Sequence, residues 1–266
     1  MRYPFTTLVA VLRAGALVFQ WRQCWAQFGD PISTAAIVTK AGVKPTGVAV
    51  VELFTSQGCS SCPSADAILS KIEMAASESK LPIYALSFHV DYWNRLGWND
   101  PYSQAIFTKR QRDYAALGGS QKVYTPQMIV SGRSEFVGSD AAKASAAIAE
   151  SLHTATPNSV QLQLTRLPNG TTIAVDYKVN GPIDGKVMNL ALIQTDVQNS
   201  VPRGENSGRT LAHVNVVRAF ETLPLTQPTS SVKIKVPEGL SPANVAIVAY
   251  VQDRKTAEIT GANEAR

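Results

Sequence analysis

Hydrophobic and polar positions follow two different periods along this chain. Residues 48–54 are apolar and largely β-branched except for Glu52, the pattern of a strand buried on both faces of a sheet. Over 60–71 the spacing becomes helical, and Ala65, Ile68, Leu69 and Ile72 share one stripe. A second apolar strand is expected at 83–88. Asp100 and Pro101 then mark a helix start, with the acid as cap and proline in the first turn, and Gly118-Gly119 marks its end. Strands at 127–130 and 135–137 flank a Ser131-Gly132-Arg133 turn and read as a hairpin, after which Ser139-Asp140 opens an alanine-rich helix that runs to about His153.

Beyond Pro157 the helical spacing stops. Val160, Leu162 and Leu164 alternate with Gln161, Gln163 and Thr165; an Asn169-Gly170 turn follows; then Ile173, Val175, Tyr177 and Val179 alternate with polar neighbours. Further strands are expected at 188–194, 212–223, 232–236 and 245–252. Strands with turn signals and no helix predict a small antiparallel β-sandwich. The expected fold class is therefore α+β: a strand–helix domain over 47–156, a β-sandwich domain over 157–255, and a tail at 256–266.

The composition, 45% hydrophobic and 17% charged over 266 residues, is that of a folded protein, and the length accommodates one large or two modest domains. A formal charge of +5 suggests nucleic acid until its location is considered. Residues 1–26 carry Arg2, Arg13 and Arg22 and no acid, so without them 22 basic residues face 20 acidic ones. That leaves no case for a nucleic-acid partner. The same segment reads as an export signal: Arg2, an apolar stretch over 8–19 interrupted by Arg13, and Cys24-Trp25-Ala26 as a cleavage site before Gln27. No uninterrupted apolar stretch approaches the ~20 residues that span a bilayer, and Gln23 is not the small residue that lipid attachment at Cys24 requires. Residues 27–46 are punctuated by Pro and Gly and read as a linker. Removal of the leader leaves Cys59 and Cys62 as the only cysteines, in a compartment that permits disulfides. The expected location is periplasmic or secreted, with no stable membrane span.

Those two cysteines join the first strand to the first helix. Cys59 is expected at the helix N-terminus, where free N–H groups and the helix dipole favour a thiolate. Cys62 falls on the same helical face, within reach of a mixed disulfide formed at Cys59. A structural zinc site needs four ligands, but the third cysteine is Cys24, and His89, His153 and His213 are scattered. A purely structural bridge across so short a loop removes little unfolded-state entropy. A redox pair is the preferred reading, with Cys59 attacking and Cys62 resolving.

Parallel strands at 48–54 and 83–88 end on one sheet edge, which brings His89 and Asp91 toward Cys59, with Trp93 in the same loop. Two readings of His89 stand. It stabilises a thiolate, moves a proton or joins the cysteines as a metal ligand, or it is a hydrogen-bonded histidine at a strand end, with Trp93 packing the loop. Glu52 also has two: a buried acid that accepts the proton of Cys62, or one half of an ion pair. The 201–209 loop, rich in Gly, Asn and charge, either reaches the first domain or a ligand, or is an exposed connection.

The order strand, helix, strand, helix, strand, strand, helix over 47–153 resembles the thioredoxin core, with Cys59-Ser60-Ser61-Cys62 as the active dithiol and Thr125-Pro126 as the loop whose cis proline faces it. More closely, the stretch from Glu52-Leu53-Phe54-Thr55 to Cys62-Pro63, together with Phe88-His89-Val90-Asp91-Tyr92-Trp93 and Tyr124-Thr125-Pro126-Gln127, resembles a secreted bacterial family of unknown function, DUF1223. The similarity continues through Gly204-Glu205-Asn206-Ser207-Gly208-Arg209 and His213-Val214-Asn215-Val216-Val217-Arg218. It implies a thioredoxin-like domain followed by the sandwich, in an exported protein, and carries no substrate. The expected function is thiol–disulfide exchange on protein thiols or disulfides or on a small thiol, without a cofactor. Cys59, Cys62 and Glu52 are the reacting candidates, and Thr125, Pro126, His89, Asp91 and Trp93 the substrate-binding ones. Two alternatives stand beside it: copper binding or delivery through Cys59, Cys62 and His89, and a non-enzymatic binding or assembly role for the sandwich.

Overall fold

A strand that is buried at every position needs a layer on each face, and the computed structural model, which describes residues 45–168, 170–241 and 244–266, supplies both for the first strand. Its first part alternates β1 (Ala49–Thr55), α1 (Cys62–Ser79), β2 (Ile83–His89), α2 (Ala105–Leu117), β3 (Gln127–Val130), β4 (Ser134–Val137) and α3 (Ala141–His153). Strands alone follow: β5 (Ser159–Arg166), β6 (Thr172–Asn180), β7 (Lys186–Gln194), β8 (Val197–Ser200), β9 (Thr210–His213), β10 (Val216–Pro224), β11 (Thr229–Lys235), β12 (Val245–Asp253) and β13 (Ile259–Ala265). The fold is mixed α+β and mostly sheet. The leader expected at 1–26 and most of the linker lie outside the described residues.

One sheet of eight strands, ordered β13-β12-β7-β10-β2-β1-β3-β4, runs through both parts. β1 lies parallel to β2 and antiparallel to β3, and β10 joins β2 through the Val216–Ser87 pair. The expected boundary at residue 157 is therefore not a break in the sheet. Alternate residues of β1 serve two cores. Ala49, Val51 and Leu53 meet Ala65, Leu69 and Ile72 of α1 and Ile148 and Leu152 of α3. Val50 and Phe54 meet Phe107 of α2 with Phe88, Phe220 and Tyr250. A second sheet, β11-β6-β5, packs Ile173, Val175, Tyr177 and Ile234 onto Met188, Leu190 and Leu192 of β7 and Ile247, Ala249 and Val251 of β12.

Three expectations change in detail, each for a local reason. The second helix begins at Ala105 and not at Asp100, because the Asp100 carboxylate accepts from the N–H groups of Gln57 and Tyr102 at 2.8 and 3.0 Å and folds 101–104 into a turn. The strand expected at 212–223 is broken at Asn215, whose φ of 47° takes the left-handed conformation that extended pairing does not tolerate. β9 therefore pairs with β8, and β10 with β7. Residues expected as a tail form β13 at the sheet edge, with Ile259 and Ala262 buried.

Glu52 belongs to the α2 face, with Val50 and Phe54 on either side of it in the alternation. Arg110 of α2 grips it through Nε and Nη2 at 2.8 and 3.0 Å, and the hydroxyls of Tyr250 and Tyr114 donate to its two oxygens. The guanidinium lies among the rings of Phe88, Tyr114, Phe220 and Tyr250. Burial opposes its charge, but the Glu52 carboxylate outweighs burial and holds Arg110 above its ordinary pKa. The sequence reading of Glu52 as the acceptor of the Cys62 proton is thus corrected: period-two alternation turns the side chain to the sheet face away from α1, into an ion pair. Replacing one member of such a pair leaves the other charge buried and alone, at a cost of about 3–5 kcal/mol. Glu52→Gln should lower unfolding stability in urea by that amount; a loss below about 1 kcal/mol would contradict this account.

Candidate functional site

β1 ends at Thr55, and the chain turns through Ser56, Gln57 and Gly58 into Cys59. Cys59 and Cys62 form a disulfide with Cα atoms 5.5 Å apart. Both cysteines are buried, while Ser60 and Ser61 between them are exposed. The helix proper starts at Cys62, whose N–H donates to the Cys59 carbonyl, and Pro63 occupies its first turn. Cys59 Sγ lies 3.3 Å from Ser61 Oγ and 4.0 Å from the Thr125 carbonyl oxygen. The Thr125–Pro126 bond is cis, and Trp93 Nε1 donates to Thr125 Oγ1 at 2.7 Å. Thr125, Pro126 and Trp93 therefore gather at the disulfide. Asp91 does not: its carboxylate accepts from the Thr108 hydroxyl of α2 at 2.6 Å.

The 201–209 loop from the second half of the chain closes over the cysteine turn. Asn206 donates from Nδ2 to the carbonyls of both Gln57 and Cys59, at 2.9 and 2.8 Å. Glu205 accepts from the Ser60 N–H and hydroxyl at 2.9 and 2.7 Å, and those two bonds hold its carboxyl below the usual range. The backbones meet glycine to glycine. Gly204 has φ of 89°, and a Cβ on it would come within 3.4 Å of the Gly58 Cα. A Cβ on Gly58 would itself press the Trp93 Cβ at 3.2 Å. Of the two sequence readings of this loop, contact with the first part of the chain is the one observed.

His89 is fully buried at the end of β2. Its Nδ1 meets Asp100 Oδ2 at 2.7 Å, and its ring crosses those of His213 and Tyr102 at 4.7 and 5.3 Å. Burial pulls its pKa down, but the charge and hydrogen bond of Asp100 outweigh burial and raise it. Asp100 moves the other way: burial opposes its charge, and His89 with two backbone N–H groups holds it low. His213 sits at the end of β9, its Nε2 3.0 Å from Gln57 Nε2 and its Nδ1 3.6 Å from Asp66 Oδ1. Among the described residues, no three His, Cys, Asp or Glu side chains are placed to hold a metal ion together.

Asp66, Asp100, Glu205, Asn206 and His213 were not legible as site residues from spacing alone, since four of them lie far from the cysteines in sequence. Asp66 left a signal: it is an acid next to Ala65 on the buried stripe of a helix.

The His89–Asp100 pair predicts a pH window. A raised His89 contributes stability that is full below about 6.5 and is lost as pH rises through its folded value; a lowered Asp100 contributes stability present above about 4 and lost as pH falls. Asp100→Asn should therefore cost more stability near pH 5.5 than near pH 9, on top of a pH-independent loss from its bonds to Gln57 and Tyr102 (about 5.5 and about 9 bracket the window). Urea unfolding at the two pH values tests this; an equal loss at both would remove the charged pair from the account.

Comparison with solved structures finds a crystal structure of a protein from Agrobacterium tumefaciens, determined as a structural genomics target. It is 27% identical, with a TM-score of 0.58, and the match covers 82% of this chain and 94% of that one. Comparison with curated proteins finds no match. The family described as "Protein of unknown function (DUF1223)" matches residues 50–252. That span runs from β1 through the cysteine turn, the Thr125–Pro126 loop and the capping loop to the end of β12, and so the chain belongs to the DUF1223 family.

Proposed function

We propose that this chain is an exported thiol–disulfide exchange protein acting on a protein or small-thiol substrate. The observation that carries the reading is the Cys59–Cys62 disulfide at the start of α1, facing the Thr125 carbonyl across 4.0 Å beside a cis proline. Adjacency of β2-β1-β3-β4, with β1 parallel to β2 and antiparallel to β3, is what a thioredoxin-like domain requires. The β5-β6-β11 layer packed on β7 and β12 supports reading the second half as a sandwich. Cys59 attacks, Cys62 resolves, and the Thr125 backbone lies where an extended substrate would run. Glu205 stands on the Ser60 N–H beside Cys59, so a fixed negative charge shares the helix start with any thiolate formed there. Nothing in the arrangement favours copper delivery over exchange: His89 is engaged with Asp100 and packed against His213.

Removing the resolving thiol should trap the intermediate. A Cys62→Ser variant is expected to accumulate mixed disulfides at Cys59, read on non-reducing gels and by mass spectrometry of the Cys59 peptide. Their complete absence from cells, and from the purified variant mixed with oxidised glutathione, would sink the exchange reading. Export is tested separately. Mass spectrometry of the protein from its native host should give a mature N-terminus near Gln27, and recovery of intact Met1 in the cytoplasm would overturn the export proposal.

A further inference from the structure

Behind the disulfide, several buried polar atoms have no hydrogen bond: both carboxylate oxygens of Asp66, Nδ1 of His213, Nε2 of His89, and the hydroxyls of Thr55 and Ser87. Buried polar atoms are almost always paired, so orphans gathered at one sheet edge demand a reason. Asp66 stands four residues after Cys62, and both lie on the buried face of α1. Residues so spaced have Cβ atoms about 5–6 Å apart. Around Asp66 the titratable groups are His213 from β9 at 3.6 Å, His89 from β2 with Asp100 behind it, and Arg218 of β10 beyond His89. Among the described residues, no Lys or Arg forms an ion pair with the Asp66 carboxylate.

We propose that Asp66 is the proton acceptor for Cys62 and that His213 is its positioning residue; the proposal rests on the exchange reading above. Cys62 has no exposed surface, so its thiol does not meet water directly. Once Cys59 of the reduced protein carries a partner sulfur, the Cys62 S–H bond breaks and the proton passes to the Asp66 carboxylate. The thiolate so formed attacks Cys59 Sγ. The Cys59–Cys62 bond forms, the bond from Cys59 to the partner sulfur breaks, and the partner leaves as a thiolate that solvent protonates. The two cysteines are oxidised and the partner disulfide is reduced; in the reverse direction Asp66 returns its proton to Cys62. His213 does not touch the reacting sulfurs. Gln57 fixes its ring from one side, and its other nitrogen faces the carboxylate.

The test follows the resolution step in the reduced full chain mixed with oxidised glutathione, using rapid acid quench and mass spectrometry to separate the Cys59 adduct from the internal disulfide. Wild-type resolution should vary little between about pH 6 and about pH 8, because a fixed carboxylate and not hydroxide takes the Cys62 proton. Asp66→Asn should slow it at least about tenfold at pH 7 and make it climb about tenfold per pH unit, as expected when hydroxide must replace the buried base. Asp66→Glu should recover part of the rate, and His213→Gln should show a smaller loss with the same altered profile. Formation of the adduct, measured with each change in a Cys62→Ser background, should be unchanged. Resolution by Asp66→Asn at the wild-type rate and pH profile would overturn the assignment while leaving exchange intact. Should that variant fail to fold, a wild-type rate proportional to hydroxide across the same range would overturn it equally. Failure of Cys62→Ser to form any glutathione adduct would remove the exchange reading and this proposal together.

Discussion

Every polar group of Gln57 is tied to a residue distant in the chain. Its N–H donates to Asp100, its carbonyl accepts from Asn206, its Oε1 accepts from Asn199, and its Nε2 meets His213. The residue is fully buried, so each of these groups would cost about 1–3 kcal/mol if left without a partner. The turn that carries Cys59 can therefore take this shape only when the loop after β2, the 201–209 loop and β9 are all in place. A strand-to-helix turn that would otherwise be a mobile surface connection is held at a sheet edge by residues from both parts of the sequence.

The same dependence explains why the sheet does not divide where the periodicity changes. β10 lies against β2, so β9 and the loop before it are delivered to the edge where β1 and β2 end. The second half is thus more than a support. It contributes Asn206 and Glu205 to the cysteine turn and His213 to the cluster beneath it. On the opposite face Glu52 and Arg110 do separate work, joining β1 to α2 and, through Tyr250, to β12. The two buried polar centres sit on opposite sides of one strand. One is satisfied throughout, while the other retains unpaired atoms.

That contrast bears on chemistry. An ion pair enclosed by aromatic rings, with tyrosine hydroxyls on both carboxylate oxygens, has no capacity left for a moving proton. A carboxylate one helical turn from Cys62, with both oxygens open and a histidine nitrogen nearby, retains that capacity. The difference arises from the direction of side chains on a pleated strand and on a helix.

Much of this architecture was readable from residue order because it rests on local periodicity. The apolar runs placed β1, β2, β7 and β12, Asp140 marked the start of α3, and the short spacing of Cys59 and Cys62 between strand and helix marked the cysteine turn. Positions 125 and 126 were legible only through the resemblance to the thioredoxin core, which implies a proline just before the third strand, opposite the two cysteines. Tertiary structure decided what depends on contacts between remote segments. Glu52 read as an acid in a buried strand, but which face it took and which base met it depended on α2 packing across the sheet. Asp100 read as a helix cap until Gln57 and His89 claimed its oxygens, and Asn215 broke a strand that alternation alone extended. His213 joined the site because β10 pairs with β2, a choice of neighbour that hydrogen bonding between strands makes and that no local pattern encodes.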